Sequence, residues 1–208
     1  MKRLAIYGAS GHGKVVAEIA ELNGWQEVVF FDQVAGDIEQ NGVWPVEGDF
    51  EYMLNHKSDF DAAIVAIGNN QIRTDKSELL RASEMDLATL IHPSAMISRH
   101  STVGKGSVIM ANAVVNPFAA IGDHVIVNTG AIVEHDCRIE NGVHICPGVS
   151  LAGEVSVGQG AWVGIGATVI QRCCIGEQSI IGAGSVVIED IPSHATACGV
   201  PTKLIKSS

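Results

Sequence analysis

Residues 121–145 read IGDHVI-VNTGAI-VEHDCR-IENGVH-I, and the first residue of each hexad is Ile or Val. The same spacing continues in both directions, so that Ile, Val or Leu stands at all seventeen positions six residues apart from Ile91 to Val187. The fourth residue after each of them is usually small, as at Ala113, Ala131 and Ala161. A period of six fits neither an α-helix nor an alternating strand. It predicts a parallel β-helix in which each hexad makes one short strand and one turn.

The predicted β-helix is triangular, because three hexads complete one coil. Side chains eighteen residues apart should then stack directly above each other, with the branched residue pointing inward and the small residue near a corner. A narrow prism has no room for rings, which agrees with an aromatic content of only 5%. The hexads therefore predict a β-helix over residues 91–190, followed by a C-terminal tail over 191–208.

The charge of the chain excludes some functions and hints at a second domain. The net charge is −10, which argues against a nucleic-acid partner, since binding phosphates needs a basic surface. Residues 1–90 carry 15 acidic and 7 basic side chains, whereas residues 91–208 carry 8 and 6.

No membrane span is expected, because the longest uncharged stretch (155–171) contains four glycines. Five cysteines without redox or metal spacing and no visible signal peptide predict a cytoplasmic protein.

Residues 1–90 follow a β-α-β order. A strand ending at Tyr7 precedes the glycine loop 8–13 and a helix that should end at Asn23-Gly24. A second strand leads to Asp32, and a third, over 60–67, leads to Gly68. This order predicts a Rossmann-like domain whose strand ends line a ligand crevice. The loop has the spacing GxxGxG rather than GxGxxG, so NAD is disfavoured, while a nucleotide diphosphate or a purely structural turn both stay open.

Four segments together resemble one family. Residues 6–13 (IYGASGHG), 66–70 (AIGNN), 133–137 (VEHDC) and 199–201 (GVP) are similar to the PglD/NeuD group of bacterial sugar acetyltransferases, within the hexapeptide-repeat transferases. The resemblance implies a left-handed β-helix that forms a homotrimer, with acetyl-CoA as co-substrate in the groove between neighbouring copies. It implies no permanently bound cofactor and no metal. The implied reaction is N-acetylation of the 4-amino group of a UDP-4-amino-4,6-dideoxy-N-acetyl-sugar.

The resemblance also assigns the nucleotide-binding residues. The diphosphate would be surrounded by Ser10, Gly11, His12 and Gly13. Asp32 would lie near the uracil and the ribose, and Gln33 stands where the family often has a second acid. Gly68 would pack against the nucleotide.

On the acetyl-CoA side, the resemblance implies that His135 is the general base and that Asp136 raises its basicity. His144, Ile165 and Ala183 match positions that contact acetyl-CoA, and the last is usually Gly in the family. The residue types suit this chemistry, because an imidazole can accept the proton that an attacking amine sheds and a carboxylate stabilises the imidazolium. Glu134 is a rival partner for the ring, since adjacency in sequence does not distinguish the two acids. Direct attack on the thioester needs no Ser or Cys nucleophile.

Other functions remain as alternatives. O-acetylation of sialic acid or another sugar, or acetylation of a different nucleotide-linked amino sugar, would use the same fold. A γ-class carbonic anhydrase would need three zinc ligands with a close pair on one coil, which the histidine spacing does not provide. A non-catalytic scaffold with a nucleotide-sensing domain is the third alternative.

Overall fold

A computed structural model describes residues 2–207 of the chain and side chains up to residue 205. The chain divides into two compact units, with the boundary between Pro93 and Ser94. The boundary lies three residues after the one expected from the hexads.

The first unit contains a five-stranded sheet flanked by helices. Its elements are β1 (Arg3–Tyr7), α1 (Gly11–Leu22), β2 (Glu27–Phe31), β3 (Gln40–Asn41), β4 (Trp44–Gly48), α2 (Phe50–Asn55), a 3₁₀ turn (Lys57–Asp59), β5 (Ala62–Val65), α3 (Asn70–Ala82) and β6 (Leu90–Ile91). The strand order is β3-β4-β2-β1-β5, and only the β3–β4 pair is antiparallel among the pairs of this sheet. Helix α1 buries Val16, Ile19 and Ala20, a spacing that places them on one helix face.

The carboxyl ends of β1, β2 and β5 meet at one edge of this sheet. The amide of Gly8 donates to the Phe31 carbonyl at 2.8 Å, and the amide of Ala66 donates to the Tyr7 carbonyl at 2.7 Å. These hydrogen bonds hold together the three chain segments that follow the strands. The glycine loop, Asp32 and Gly68 therefore lie at the same edge, as expected for the ligand side of a parallel sheet.

The second unit is a β-helix with three flat faces. The first face contains β7 (Met96–Ile97), β10 (Val114–Val115), β13 (Ile132–Val133), β16 (Ser150–Leu151), β19 (Thr168–Val169) and β22 (Val186–Val187). The second face contains β8 (Thr102–Val103), β11 (Ala120–Ile121), β14 (Arg138–Ile139), β17 (Ser156–Val157) and β20 (Cys174–Ile175). The third face contains β9 (Val108–Ile109), β12 (Ile126–Val127), β15 (His144–Ile145), β18 (Trp162–Val163), β21 (Ile180–Ile181), β23 (Ala195–Cys198) and β24 (Lys203–Ser207).

The register of these strands follows the hexad pattern. Val115 pairs with Val133 and Val133 with Leu151, so residues eighteen apart stack in parallel strands. Every member of the hexad series from Ile109 to Val187 is buried, which makes a core of branched aliphatic side chains. Burial of such a side chain is worth about 1.5–3 kcal/mol, so the stacked series is the main source of stability in this unit.

The C-terminal segment is part of this fold rather than a separate tail. Strand β23 pairs in parallel with β21, and β24 pairs antiparallel with β23, so both extend the third face. Ala195 and Ala197 are buried, and Ile191 makes a parallel bridge to Ile175. Within residues 2–207, no helix combines the length and the apolar character that crossing a bilayer requires.

Candidate active site

His135 lies at the corner that joins the first face of the β-helix to the second. It follows β13 and precedes β14, and its side chain is 56% exposed. The next residue, Asp136, has a left-handed backbone conformation with φ of +61°. In this turn the ring Nδ1 of His135 lies 2.8 Å from Oδ2 of Asp136. The two residues assigned to catalysis are therefore in direct contact.

The surroundings of His135 raise the pKa of its imidazole above the usual value. The main cause is the hydrogen bond to Asp136, and the negative charges of Asp136, Glu134 and Glu154 act in the same direction. In the neutral ring the proton belongs on Nδ1, facing the carboxylate, which leaves Nε2 as the acceptor. The corner thus presents a basic nitrogen at the surface of the β-helix.

Glu134, the rival partner, contacts the backbone rather than the ring. Its Oε2 accepts a hydrogen bond from the backbone amide of His135 at 3.4 Å. Glu154, one coil further on, is paired with Arg172 at 3.2 Å. Asp136 is therefore the carboxylate that orients the imidazole in this structure, while Glu134 acts on it only through its charge.

His144 lies on a different part of the β-helix, in β15 on the third face. Its Nε2 is 3.1 Å from the side-chain nitrogen of Asn128, and its ring contacts Trp162 edge-on with centroids 6.4 Å apart. Within one chain the structure does not bring His144 and His135 together, because they occupy a face and the corner opposite to it.

Ile165 and Ala183 share the corner between the third and first faces. They are eighteen residues apart, and the amide of Gly184 donates to the Ile165 carbonyl at 2.8 Å. Both side chains are exposed, and Ile165 is 57% exposed despite being apolar. An exposed aliphatic side chain at a corner can pack against an apolar part of a ligand or of another chain.

The glycine loop of the first unit contains two kinds of glycine. Gly8 and Gly13 are required by packing, since a Cβ on Gly8 would lie 2.6 Å from the Ala66 carbonyl oxygen and one on Gly13 would collide with the Gly8 carbonyl. Gly11 has open space instead, as does Gly68 beyond β5, and a Cβ at either position would meet no neighbouring side chain or backbone within 4 Å. Their bare backbone leaves room for a molecule to approach closely, as a phosphate at a helix start requires.

Asp32, at the end of β2, forms a hydrogen bond with the glycine loop. Its Oδ2 accepts a hydrogen bond from the amide of Ala9 at 2.7 Å, and its Oδ1 accepts one from Val34 at 3.3 Å. Burial raises the pKa of the Tyr7 hydroxyl, and the side chain of Gln33, next to Asp32, acts in the opposite direction. Ser10 is the N-cap residue of α1, but its hydroxyl makes no capping hydrogen bond and is exposed. The Ser10 hydroxyl and the remaining lone pairs of Asp32 are therefore available to a ligand.

His12, in the glycine loop, is partly buried, and its ring lies close enough to the buried Arg73 for the guanidinium charge to act on it. The Nε2 atom of His12 is buried and has no hydrogen-bond partner among residues 2–207. Burial, followed by the charge of Arg73, lowers the pKa of His12 to about 4, so the ring is neutral at physiological pH. Arg73 is 1% exposed, and burial lowers its pKa to about 9. Its guanidinium donates to the carbonyls of Ile67 (2.9 Å) and Gly68 (3.3 Å) and to Oδ1 of Asn70 (2.8 Å).

The sequence pattern did not predict a role for two residues that contact these sites, Arg73 and Gly153. Arg73 fixes the backbone that carries Gly68, but nothing in the sequence distinguishes it from a solvent-facing helix residue. Gly153 lies one coil beyond His135 in the same column, which the eighteen-residue spacing could have revealed.

Among the described residues, no group of three His, Cys, Asp or Glu side chains could hold a metal ion.

Comparison with known proteins links both units to sugar acetyltransferases. Residues 3–80 match the family model described as the PglD N-terminal domain. Over 112 residues the chain is 41% identical to UDP-N-acetylbacillosamine N-acetyltransferase of Bacillus subtilis (strain 168), an alignment that covers 52% of this chain and 51% of that protein. The chain thus spans about half the length of this curated relative.

Solved structures match the whole chain. The acetyltransferase domain of PglB from Neisseria gonorrhoeae FA1090 is 40% identical with a TM-score of 0.94, covering 99% of this chain and 100% of that chain. A mutant of perosamine N-acetyltransferase from Caulobacter crescentus, in complex with CoA and GDP-perosamine, is 37% identical with a TM-score of 0.94, covering 100% and 98%. These matches confirm the predicted fold class, a Rossmann-like unit followed by a left-handed β-helix.

Proposed function

This chain belongs to the PglD/NeuD group of bacterial sugar acetyltransferases, and from that premise we propose that it transfers the acetyl group of acetyl-CoA to the 4-amino group of a UDP-4-amino-4,6-dideoxy-N-acetyl-sugar. The observation that carries the proposal is the corner at His135. There a carboxylate holds Nδ1 at 2.8 Å and raises the pKa of the ring, so that Nε2 can serve as a base at the protein surface.

The chemical steps require one base and no covalent enzyme intermediate. The unprotonated sugar amine attacks the thioester carbonyl carbon, and a C–N bond forms. Nε2 of His135 takes a proton from the nitrogen as the tetrahedral intermediate forms, and Asp136 stabilises the imidazolium. The C–S bond then breaks, and the imidazolium returns the proton to the leaving CoA sulfur. The protein ends the cycle with His135 neutral again.

The two cysteines closest in sequence to His135 and His144 support direct attack rather than an acyl-enzyme. Burial raises the pKa of Cys137, two residues after His135, to about 11 and that of Cys146 to about 12. A thiol with such a pKa is almost entirely protonated at neutral pH, so it is a poor nucleophile. The thioester is already activated, and the sugar amine can attack it without such an intermediate.

In this proposal the first unit holds the nucleotide sugar. Amides of the loop from Ser10 to Gly13, at the start of α1, would bind the diphosphate. The open space beside Gly11 and Gly68 would admit it, and Asp32 and Gln33 would lie near the ribose and the base. The neutral imidazole of His12 would supply a hydrogen-bonding group that does not repel or attract charge.

An amine acceptor is favoured over a hydroxyl. The relatives named as UDP-N-acetylbacillosamine N-acetyltransferase and perosamine N-acetyltransferase are both N-acetyltransferases. O-acetylation of sialic acid or another sugar is therefore the second candidate. The structure in complex with GDP-perosamine makes GDP the main alternative to UDP for the nucleotide.

The acetyl-CoA site is proposed to need more than one copy of the chain. His144, Ile165 and Ala183 are assigned to acetyl-CoA, yet His144 occupies the third face and His135 the corner opposite to that face. In a homotrimer the neighbouring copy can supply His144 beside His135. Analytical ultracentrifugation should then give a mass three times that of the chain.

The decisive experiment is a substrate panel with acetyl-CoA. The protein is incubated with UDP- and GDP-linked 4-amino sugars, the matching 4-hydroxy sugars and sialic acid, and the products are analysed by mass spectrometry. We expect one added acetyl group on a UDP-4-amino sugar, in a linkage that survives mild hydroxylamine as an amide does. No added acetyl on any amino sugar, or only a hydroxylamine-labile ester, would contradict the proposal.

A further inference from the structure

We propose that Gly153 is a positioning residue for His135, because its missing side chain provides the space in which the imidazole lies. The inference rests on the proposed function of His135 as the base, and it assigns a role to a residue that lies one coil away. Gly153 itself would touch neither the sugar amine nor the thioester through a side chain.

Gly153 lies in close contact with the imidazole of His135. A Cβ built on Gly153 would lie 2.5 Å from both Cε1 and Nε2 of His135 and 3.2 Å from its Nδ1. The Cε1–Nε2 side of the ring therefore occupies the space that a Cβ on Gly153 would fill, and the basic nitrogen is among the closest atoms. Gly153 follows His135 by eighteen residues, so the coil spacing places it directly in the next layer of the same corner.

The backbone conformation does not explain a glycine at this position. Gly148, Gly160 and Gly166, at other corners, have φ between +65° and +67°, a region that favours glycine. Gly153 lies outside the left-handed region, so an alanine would fit its backbone without strain. The three atoms that a Cβ would approach most closely all belong to the imidazole. Space for the ring is thus the physical requirement that remains.

The effect of an added methyl should fall on the imidazole rather than on the fold. The obstructing atoms are the far end of a side chain with two rotatable bonds and 56% exposure. The ring can turn outward at little cost to the backbone, but it then leaves the Nδ1–Asp136 hydrogen bond. The charged groups around the ring, Asp136, Glu134 and Glu154 with its partner Arg172, stay in place.

The test is a double-mutant cycle with Gly153→Ala, His135→Ala and the two changes combined. We expect Gly153→Ala to lower kcat by about 10- to 100-fold, since a misplacement near 1 Å can cost that much, with KM for acetyl-CoA within about 3-fold. In the His135→Ala background the same change should have no further effect on kcat, because there is no ring to displace. Gln171→Ala, at the same corner one coil further on, is the matched control and should keep the wild-type rate.

A second measurement reads the ring position without turnover. In an NMR titration, Gly153→Ala should lower the pKa of His135 relative to wild type, because the hydrogen bond that raises it is lost. Were no acetyl transfer found with the wild type, the proposed function would fail while this titration still tested the placement of the ring. An unchanged His135 pKa, or an equal fold-loss of kcat in both backgrounds, would overturn the positioning role of Gly153.

Discussion

The glycine loop of the first unit and the His135 corner of the β-helix each contain a histidine, and the two surroundings shift the pKa of the imidazole in opposite directions. His12 is partly buried near Arg73, and desolvation followed by the charge of Arg73 lowers its pKa to about 4. His135 is more than half exposed beside Asp136, and its pKa is raised. One ring is kept neutral, whereas the other is made a stronger base.

Two opposite physical effects produce this difference. Desolvation disfavours the charged ring, and a neighbouring carboxylate favours it. A ring that stays neutral can hydrogen-bond to a nucleotide without a charge that varies with pH. A ring with a raised pKa is a stronger base toward a proton released during turnover.

The largest expected effect separates the two histidines kinetically. His135→Ala should lower kcat by about 10²- to 10⁴-fold, because the proton acceptor is lost, with little change in KM for the nucleotide sugar. His12→Ala should instead raise that KM by about 10-fold, the value of one lost hydrogen bond, with a smaller change in kcat. Steady-state kinetics of both variants measures kcat and KM. An equal loss of kcat in the two variants would contradict the different roles of the two histidines.

The next effect concerns the arginine that sets the environment of His12. Arg73→Met should lower the free energy of unfolding of the first unit by about 1–3 kcal/mol, because the buried carbonyls of Ile67 and Gly68 lose their donor. Arg81→Met is the matched control on the same helix. Its exposed ion pair with Glu78 should contribute less than about 1 kcal/mol. Urea unfolding measures both, and equal losses would contradict the structural role of Arg73.

A smaller effect distinguishes the two carboxylates beside His135. The rate should fall as the pH falls through the pKa of His135, since only the neutral ring accepts a proton. Because Asp136 raises this pKa most, Asp136→Asn should move the acid limb of the kcat–pH profile to lower pH and reduce the plateau by about 10-fold. Glu134→Gln acts only by removing a charge and should give a smaller shift in the same direction. The opposite ranking would assign the orienting role to Glu134.

The smallest effect is on stability in acid. The pKa of His12 is about 4 in the folded protein and about 6.5 when unfolded, so the unfolded chain binds the proton first as the pH falls. Stability from this group is therefore complete above pH 6.5 and is lost toward pH 4. At pH 5.5 the loss should be about 1 kcal/mol relative to pH 8, and it should be absent in His12→Gln. Identical pH dependence of unfolding in the two proteins would contradict the burial of a neutral ring.

The sequence predicted the β-helix better than it predicted the first unit. Each hexad repeats the same physical requirement, a branched residue such as Val133 or Leu151 facing inward. The seventeen positions therefore all indicate the same structure, although each one alone is weak evidence. The glycine loop occurs only once, and its sequence left both a phosphate site and a structural turn open. Helix α3 and the burial of Arg73 had no periodic signal, because a charged residue on a helix usually faces solvent.

For the site residues too, the sequence predicted the positions that follow from the hexad spacing and did not predict those that depend on local geometry. The spacing placed His135 at a corner and His144 on another part of the prism, because both positions follow from counting hexads. It did not distinguish Asp136 from Glu134, since that choice depends on the left-handed turn at Asp136. The predicted roles that stay predictions are those toward the nucleotide (Ser10, Gly11, His12, Gly13, Asp32, Gln33 and Gly68), toward acetyl-CoA (His144, Ile165 and Ala183) and in catalysis (His135 and Asp136).

The contrast between the two imidazoles is tested most directly by an NMR titration of the wild-type protein, with His12→Gln and His135→Ala used to assign the two resonances. We predict that His135 titrates above the usual value of about 6.5 and that His12 stays neutral until about pH 4. Two rings that titrate together near pH 6.5 would contradict the account, because neither site would then tune its histidine.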